Sequence, residues 1–234
     1  MNLFTITDLS KEYGEGSAKV TALKNINLTI PENKFVVILG ASGSGKSTLL
    51  NMVGCMDRPT SGRISFYETD ITSCTNKQMT TFRGENIGFV FQSYNLLPDL
   101  TALENVELST ELSGLSRNDA ETALGMVGLT DRLNHYPAEL SGGEQQRVSI
   151  ARAIAKNPKV LLCDEPTGAL DFNTGIQILE VIKQINIKNK TSVLFITHNQ
   201  EIAKIADIVI TLKSGEVTSI TENENPVSPS EVSW

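Results

Sequence analysis

The chain has 234 residues, of which 40% are hydrophobic and 20% charged, and its formal net charge is −7 at pH 7. These proportions are typical of a soluble globular protein rather than of a disordered or membrane chain. Because lysine and arginine form no block in this acidic sequence, composition gives no electrostatic support to a nucleic-acid partner, and we predict none.

The apolar segments are as long as strands and too short to cross a bilayer, so we do not expect this chain to span a membrane. Its first eight residues lack the basic region and the long apolar stretch of a signal peptide, which predicts a protein that stays in the cytoplasm. Cys55, Cys74 and Cys163 have no metal-ligand spacing, and we predict that they are free thiols.

Strand-like apolar runs alternate with helical patterns along the chain, which predicts an α/β sheet covered by helices. The predicted strands cover residues 3–9, 25–30, 34–39, 63–67, 87–91, 159–163, 192–196 and 208–212. Ser214-Gly215 predicts a turn into a last strand over 216–220. Short turns between the early strands indicate an antiparallel portion beside the parallel core, so the predicted sheet is mixed.

The middle of the chain is mainly helical, with predicted helices over 101–113, 117–127 and 142–156. Pro158 ends the third of these, because proline cannot continue a helix. We therefore predict one domain over 1–220, in which a helical lobe at about 93–156 is inserted between portions at about 1–92 and 157–220. Residues 221–234 are polar and acidic and contain Pro226 and Pro229, which predicts a mobile tail.

A glycine-rich segment matches the pattern GxxxxGK[ST], follows an apolar strand and precedes a helix-compatible stretch over 48–54. In such a loop the glycines let backbone N–H groups surround phosphate oxygens, the lysine reaches the β- and γ-phosphates, and the hydroxyl ligates Mg²⁺. The sequence therefore predicts binding of ATP with Mg²⁺. The predicted nucleotide-binding residues here are Gly40, Ser42, Gly43, Ser44, Gly45, Lys46, Ser47 and Thr48.

Two carboxylates stand at the end of a buried-type strand, where an open α/β sheet presents chemistry to its ligands. Asp164 is suited to holding Mg²⁺, directly or through water, and Glu165 to orienting and deprotonating the water that attacks the γ-phosphate. Taken alone, such a pair is more often a helix cap or a solvated turn. The phosphate loop in the same chain favours the catalytic interpretation.

The segment Leu140-Ser141-Gly142-Gly143-Glu144-Gln145 introduces a helical stretch, with Ser141 as a possible N-cap. Two glycines at a helix start lower its stability, and they make sense where backbone N–H groups must approach an anion closely. We therefore predict a second phosphate contact at this helix start.

The sequence LSGGEQ resembles the signature of the ATP-binding-cassette (ABC) ATPases, and the phosphate loop and the acidic strand lie in that family's order. The resemblance covers about residues 1–215. It implies the P-loop NTPase fold of the ABC ATPases, an α/β class with a mixed sheet core, an antiparallel β subdomain and an inserted α-helical subdomain. By position it also implies that Tyr13 stacks on adenine, that Gln92 senses Mg²⁺ and water, that His198 is the switch histidine, and that Asp171 lies in the loop that communicates between subunits.

The same resemblance implies a head-to-tail dimer in which each ATP lies between one subunit's phosphate loop and the other's signature segment. The nucleotide-binding residues of that segment are Ser141, Gly142, Gly143 and Gln145. Catalysis falls to Glu165, His198 and Gln92, and Mg²⁺ to Ser47, Gln92 and Asp164. Because these residues and Lys46 are all present, we predict a competent ATPase.

Residues 83–98, 100–106, 135–140 and 166–171 are similar to the bacterial macrolide-exporter and lipoprotein-release branch of the family. This similarity implies integral membrane permease subunits as partners and a peripheral place at the cytoplasmic face of the membrane. It also implies efflux or mechanotransmission of a hydrophobic compound, a peptide or a lipoprotein. Residues 107–111 are more acidic and polar than is usual in that branch. A non-transport role in cell division or envelope signalling stays open.

Overall fold

The computed structural model describes residues 1–233 and, within that range, every side chain except that of Ser17. Ten strands and six α-helices of this part of the chain position the site. In chain order they are β1 (Asn2–Tyr13), β2 (Val20–Pro31), β3 (Phe35–Leu39), α1 (Lys46–Val53), β4 (Ser61–Phe66), β5 (Thr69–Asp70), α2 (Asn76–Asn86), β6 (Ile87–Phe91), α3 (Ala102–Leu112), α4 (Arg117–Met126), α5 (Gly142–Ile154), β7 (Val160–Asp164), α6 (Phe172–Asn189), β8 (Ser192–Thr197), β9 (Ile208–Lys213) and β10 (Glu216–Glu222).

The larger sheet has six strands in the order β10-β9-β3-β8-β7-β6. All its pairs are parallel except β10 with β9, which form an antiparallel hairpin through the predicted Ser214-Gly215 turn. The smaller sheet is antiparallel, in the order β2-β1-β4-β5. The fold class predicted from the sequence, with its antiparallel portion, is confirmed.

Alternate side chains of the central strand β3 enter two different hydrophobic cores, as the two-residue period of a strand requires. Phe35 and Val37 pack with the helical lobe, α3 to α5, and with α6. Val36 and Ile38 pack with α1 and the antiparallel sheet. The six-stranded sheet is thus buried on both faces, and its strand ends are left free to present chemistry.

Two helices of the structure were not assigned from the sequence. Helix α2 buries only Met79, so it lacks the apolar period by which a helix is recognised, and its remaining signal is the capping box formed by Thr75 and Gln78. Helix α6 does carry a helical period of buried residues, at Ile178, Leu179, Ile182 and Ile185. The helix predicted over 142–156 ends earlier, at Ile154.

The segment predicted as a mobile tail lies against the body of the protein. The N–H of Asn223 donates to the carbonyl of Asp207 at 2.8 Å, and the N–H of Val227 donates to that of Lys204 at 3.0 Å. Val232 is only 3% exposed and belongs to the core that contains α6. Hydrophobic burial thus fixes a segment whose average composition is polar.

Within residues 1–233, none of the helices combines the length and the apolarity that a membrane span requires.

Candidate active site

The parallel strands align their carboxyl ends at one edge of the six-stranded sheet. Phe91 at the end of β6 pairs with Asp164 of β7, and Asp164 pairs with Ile196 of β8. Leu39 at the end of β3 pairs with Thr197 of β8. The chain therefore leaves the sheet at the same edge before the phosphate loop and before Gln92, Glu165 and His198, which is where open α/β sheets bind their ligands.

The phosphate loop joins β3 to α1 in a conformation that its glycines make possible. Gly43 and Gly45 have φ values of +76° and +102°, in the left-handed region that favours glycine. A Cβ atom added at Gly40 would lie closer than 3.0 Å to the carbonyl oxygen of Leu212 and to Ser44 Oγ. The loop is thus closed tightly on itself, with space for hydrogen but not for a methyl group at position 40.

Two polar groups of this loop fit a phosphate. Lys46 is 6% exposed, and its Nζ donates to the carbonyl oxygens of Gly40 and Ala41 at 2.8 and 2.9 Å, so the ammonium lies within the loop. Ser44 Oγ is buried and has no hydrogen-bond partner among the described residues. A buried hydroxyl without a partner is costly, and a phosphate oxygen held by the loop would satisfy it.

Asp164 lies beside Ser47, whose Oγ donates to Asp164 Oδ1 at 3.2 Å. Burial raises the pKa of Asp164, and the neighbouring Glu165 adds to this, while the hydrogen bond from Ser47 and the charge of Lys46 act in the opposite direction. The positive charge near Asp164 therefore does not fully compensate its ionised carboxylate. A carboxylate and a hydroxyl are the oxygen ligands that suit Mg²⁺, so the pair fits this ion.

Glu165 takes a backbone conformation that is unusual for its residue type, with φ of 47°. Its N–H donates to the carbonyl of Ile196 at 3.1 Å, which ties the strained residue to the neighbouring strand β8. Nδ1 of His198 lies 3.2 Å from both Oε1 and Oε2 of Glu165. The imidazole thus faces the carboxylate head-on and fixes its direction at the sheet edge.

The predicted signature segment caps α5. Ser141 Oγ accepts the N–H of Glu144 at 3.3 Å, and the Glu144 carboxylate accepts the N–H and the hydroxyl of Ser141 at 2.8 and 2.9 Å. These hydrogen bonds, together with Arg132 at 2.9 Å, lower the pKa of Glu144 to about 2 against the opposing effect of partial burial. The helix start is therefore rigidly held by a reciprocal cap.

Comparison with known proteins connects these features. A family model described as ABC transporter matches residues 23–168. The lipoprotein-releasing system ATP-binding protein LolD of Geobacter metallireducens is 45% identical over 93% of this chain and 99% of its own length. The chain belongs to the ABC transporter family. It is an ATP-binding, ATP-hydrolysing cassette, as the sequence predicted.

Solved structures extend the comparison. The cassette MJ0796, whose sequence is from Methanocaldococcus jannaschii, is described as dimeric in two structures, one of them a post-hydrolysis state with ADP and Pi. Both align at a TM-score of 0.87 and 42% identity, over 95% of this chain and 99% of theirs. The macrolide export ATP-binding/permease protein MacB of Vibrio parahaemolyticus is 42% identical over 96% of this chain, which covers 35% of that protein. The predicted macrolide-export and lipoprotein-release branch is confirmed.

In this cassette, Gln92 lies over the loop that follows Glu165. A Cβ atom added at Gly168 would lie 3.0 Å from Nε2 of Gln92. Gln146 of α5 is fully buried nearby, and its Nε2 donates to the carbonyls of Phe91 and Pro166 at 3.2 and 2.8 Å. Gln146, which the sequence analysis did not single out, thus joins the signature helix to both segments that carry the predicted catalytic residues.

The two signature glycines have a packing reason that the sequence interpretation did not contain. A Cβ atom at Gly142 would lie 2.9 Å from the hydroxyl of Tyr94, and one at Gly143 would lie closer than 3.0 Å to Cγ2 of Thr174. Thr174 in turn donates its hydroxyl to Asp171 Oδ2 at 2.6 Å, and its N–H to Asp171 Oδ1 at 3.1 Å, so Asp171 caps α6. The glycines let neighbouring segments approach the start of α5.

The structure does not bring all the predicted nucleotide-binding residues together. Within residues 1–233, no hydrogen bond or ion pair joins the 141–145 segment to the phosphate loop; Gln145 Nε2 instead donates to the carbonyl of Leu140 at 3.1 Å. Tyr13 lies at the end of β1, where its hydroxyl donates to Asp57 Oδ2 at 3.0 Å and is also in hydrogen-bond contact with Thr48 of α1. The two segments predicted to bind phosphate are thus not joined by a hydrogen bond or an ion pair in the described part of the chain.

Proposed function

We propose that the cassette closes with a second copy of itself around ATP, head to tail, and that this closure drives a separate membrane-embedded permease. The observation that carries the proposal is that no hydrogen bond or ion pair joins the phosphate loop to the Ser141–Gly143 segment within residues 1–233. We infer that a nucleotide that contacts both segments lies between two chains. The dimers of the similar cassette MJ0796 support this arrangement.

The residues of the phosphate loop hold the nucleotide in this proposal. Backbone N–H groups and the Lys46 ammonium compensate the charge of the β- and γ-phosphates, and Ser44 Oγ gains the partner it needs. Ser47, Asp164 and Gln92 would hold Mg²⁺, which when bound neutralises charge on the phosphates. The first two already share a hydrogen bond, and the pKa of Asp164 is raised chiefly by burial, so a cation there is electrostatically favoured.

Glu165 is the general base in this proposal. Its carboxylate orients the attacking water and accepts its proton as the water oxygen bonds to the γ-phosphorus and the bond to the β–γ bridging oxygen breaks, so that ADP leaves. His198 holds the carboxylate in that direction through the 3.2 Å contacts. Gln92 lies beside the same loop and reports occupancy of the site to the helical lobe. Because hydrolysis removes the contacts that join the two chains through the γ-phosphate, the equilibrium then shifts towards the open state.

The helical lobe is the part of the cassette that contacts the permease in this proposal. Leu112 of α3 is 91% exposed and Leu108 is 36% exposed. Together with Phe89 and Phe91 they line a groove of about 300 Å³ at one end of β6. An exposed apolar groove of this kind favours binding of a partner helix. The cassette would then lie peripherally at the cytoplasmic face of the membrane, and its work would be efflux or mechanotransmission, as the similarity to LolD and MacB supports.

Affinity purification of a Glu165→Gln variant in detergent, with ATP and Mg²⁺, tests this function. The variant is expected to stay closed around ATP and to retain its partner, which mass spectrometry then identifies. A Lys46→Ala, Glu165→Gln double variant serves as the control, since it loses nucleotide binding and should release the partner. Recovery of only soluble proteins, or retention that does not depend on Lys46, would contradict the proposal.

The enzymatic part has its own test. With the permease present, the cassette is expected to hydrolyse ATP, and Glu165→Gln is expected to lower kcat by at least about 100-fold, as removal of a general base does. Glu180→Gln on α6 is a matched control that should leave the rate unchanged. Equal rates in the native cassette and in Glu165→Gln would refute the assignment of Glu165.

A further inference from the structure

A network of hydrogen bonds holds the side chain of Tyr13, and its members Asp57, Lys11 and Arg58 belong to none of the sequence motifs described above. Asp57, in the loop after α1, accepts the Tyr13 hydroxyl at 3.0 Å across 44 residues of sequence. The same carboxylate pairs with Lys11 Nζ at 2.8 Å and accepts the N–H of Arg58 at 2.6 Å. The end of β1 is thereby tied to the loop that leaves the phosphate-loop helix.

Lys11 completes the network from the strand itself. It lies two residues before Tyr13 on β1, and its side chain is only 12% exposed. Its Nζ lies 4.7 Å from the centroid of the Tyr13 ring and also donates to the carbonyl of Arg58 at 2.6 Å. An ammonium at this distance attracts an aromatic ring. The ring is thus held by its hydroxyl at one end and by a cation over one face.

The protonation states keep this network intact near neutral pH. Although partial burial opposes it, hydrogen bonds from Lys11, Arg58 N–H and Tyr13 lower the pKa of Asp57. Partial burial and then the hydrogen bond to Asp57 raise the pKa of Tyr13, while a hydrogen bond with Thr48 acts in the opposite direction. Tyr13 therefore stays a donor and Asp57 an acceptor, and the tyrosine hydroxyl reaches the first turns of α1.

We propose that Asp57, with Lys11, is a positioning residue that holds the Tyr13 ring ready to stack on the base of the bound nucleotide. The inference rests on the proposed function and on the sequence prediction that the adenine of ATP stacks on Tyr13. Because Tyr13 is 42% exposed, an untied ring would sample several rotamers and lose that freedom on binding. A ring fixed in advance avoids this cost, so the network raises affinity for the base-bearing part of ATP.

ATP affinities of variants at Tyr13 and Asp57 distinguish positioning of the Tyr13 ring from a general effect on the stability of the fold. Removal of the stacking ring in Tyr13→Ala is expected to weaken ATP binding about 5- to 100-fold, the usual range for one base on one aromatic ring. Asp57→Ala and Tyr13→Phe each remove one end of the same hydrogen bond and are expected to weaken it about 3- to 10-fold. The double variant Asp57→Ala, Tyr13→Phe should bind ATP about as tightly as whichever single variant has the lower affinity, because both changes remove the same hydrogen bond.

Calorimetric titration of the full-length chain tests the proposal, with ATP in the absence of Mg²⁺ to prevent hydrolysis and with inorganic tripolyphosphate as a probe that has no base. Binding of tripolyphosphate depends on the phosphate loop and is expected to be unchanged in all the variants. Glu12→Gln is the matched control: Glu12 is the sequence neighbour of Tyr13 but pairs with Lys19 at 2.7 Å.

Each outcome bears on a different claim. If Tyr13→Ala binds ATP as tightly as the native chain, the stacking on Tyr13 predicted from the sequence is wrong, and the inference falls with it, while the proposed closure around ATP is untouched. If Tyr13→Ala weakens binding but Asp57→Ala and Tyr13→Phe do not, only the positioning role is refuted. Equal weakening of ATP and tripolyphosphate in Asp57→Ala would also overturn it. Should Asp57→Ala not fold, Tyr13→Phe, which removes a single oxygen, decides the matter.

Discussion

The contact between Gly143 and Thr174 predicts that alanine at position 143 destabilises the cassette even without nucleotide. An added Cβ would lie closer than 3.0 Å to Thr174 Cγ2. Thr174 does not rotate away freely, because its hydroxyl and N–H are both bonded to Asp171. Overpacking of this kind lowers the free energy of unfolding by about 1–3 kcal/mol. Replacing glycine by alanine in a helix raises it by about 0.4–1 kcal/mol, which offsets part of that loss.

The difference of the mid-range values gives an expected net loss in Gly143→Ala of about 1.3 kcal/mol, which lowers Tm by about 3–5 °C for a chain of this size. Thr174→Ser removes the methyl group but keeps the hydroxyl that Asp171 accepts. The double variant Gly143→Ala, Thr174→Ser should therefore recover the native Tm. Thermal unfolding by circular dichroism without nucleotide measures both values.

The same pair of variants separates two roles of the glycine. If Gly143 also lets its backbone approach a phosphate of ATP bound to the second copy, the double variant recovers stability but not ATP-dependent dimerisation in the Glu165→Gln background. Size-exclusion chromatography with ATP and Mg²⁺ reads this out. An unchanged or higher Tm in Gly143→Ala, or a double variant as unstable as the single one, would refute the packing argument.

Three further predictions follow from the structure. Because burial raises the pKa of Asp164, its ionised form destabilises the nucleotide-free fold above that pKa, so Asp164→Asn should raise Tm at pH 7 while it abolishes ATP hydrolysis. The pKa of Glu144 is lowered to about 2, so its ionised carboxylate stabilises the fold at neutral pH, and this stabilisation is lost as the pH falls from about 4.5 towards 2. The Tm difference between the native chain and Glu144→Gln should therefore shrink over that interval. A constant difference would contradict this reasoning. Truncation after Asn225 exposes the site that Val232 fills and should cost about 1.5–3 kcal/mol of stability, a fall in Tm of about 3–10 °C, whereas a mobile tail would give no change.

Elements with a strong local signal were predicted well. The bounds of β6 agree with the prediction over 87–91, and α3 and α5 begin after the Thr101 and Ser141 caps. Helix α2 was missed because a polar helix on the surface carries almost no apolar period. The tail was assigned by its average composition, although the buried side chains of Pro229 and Val232 hold its end against the body of the protein.

The residues of the candidate site also fall into those that the sequence reveals and those that only the structure reveals. Residues recognised by a local pattern, such as Lys46, Asp164 and Glu165, could be selected from the sequence, and their catalytic roles stay predictions until they are tested. Asp57 and Thr174 carried no such pattern, because each matters through one contact with a residue far away in the chain. No spacing rule reports a contact of that kind, so only folded coordinates reveal it.

By itself, the sequence determined the family and the α/β class and predicted the segments that bind phosphate, since glycine spacing and strand–loop–helix order are local properties of the backbone. The tertiary structure decided which of those segments meet. The register of β6, β7 and β8 brings the ends of three strands to one edge. The start of α5 makes no hydrogen bond or ion pair with the phosphate loop within residues 1–233. These outcomes depend on how the two cores pack on opposite faces of one sheet, and packing is a property of the whole chain.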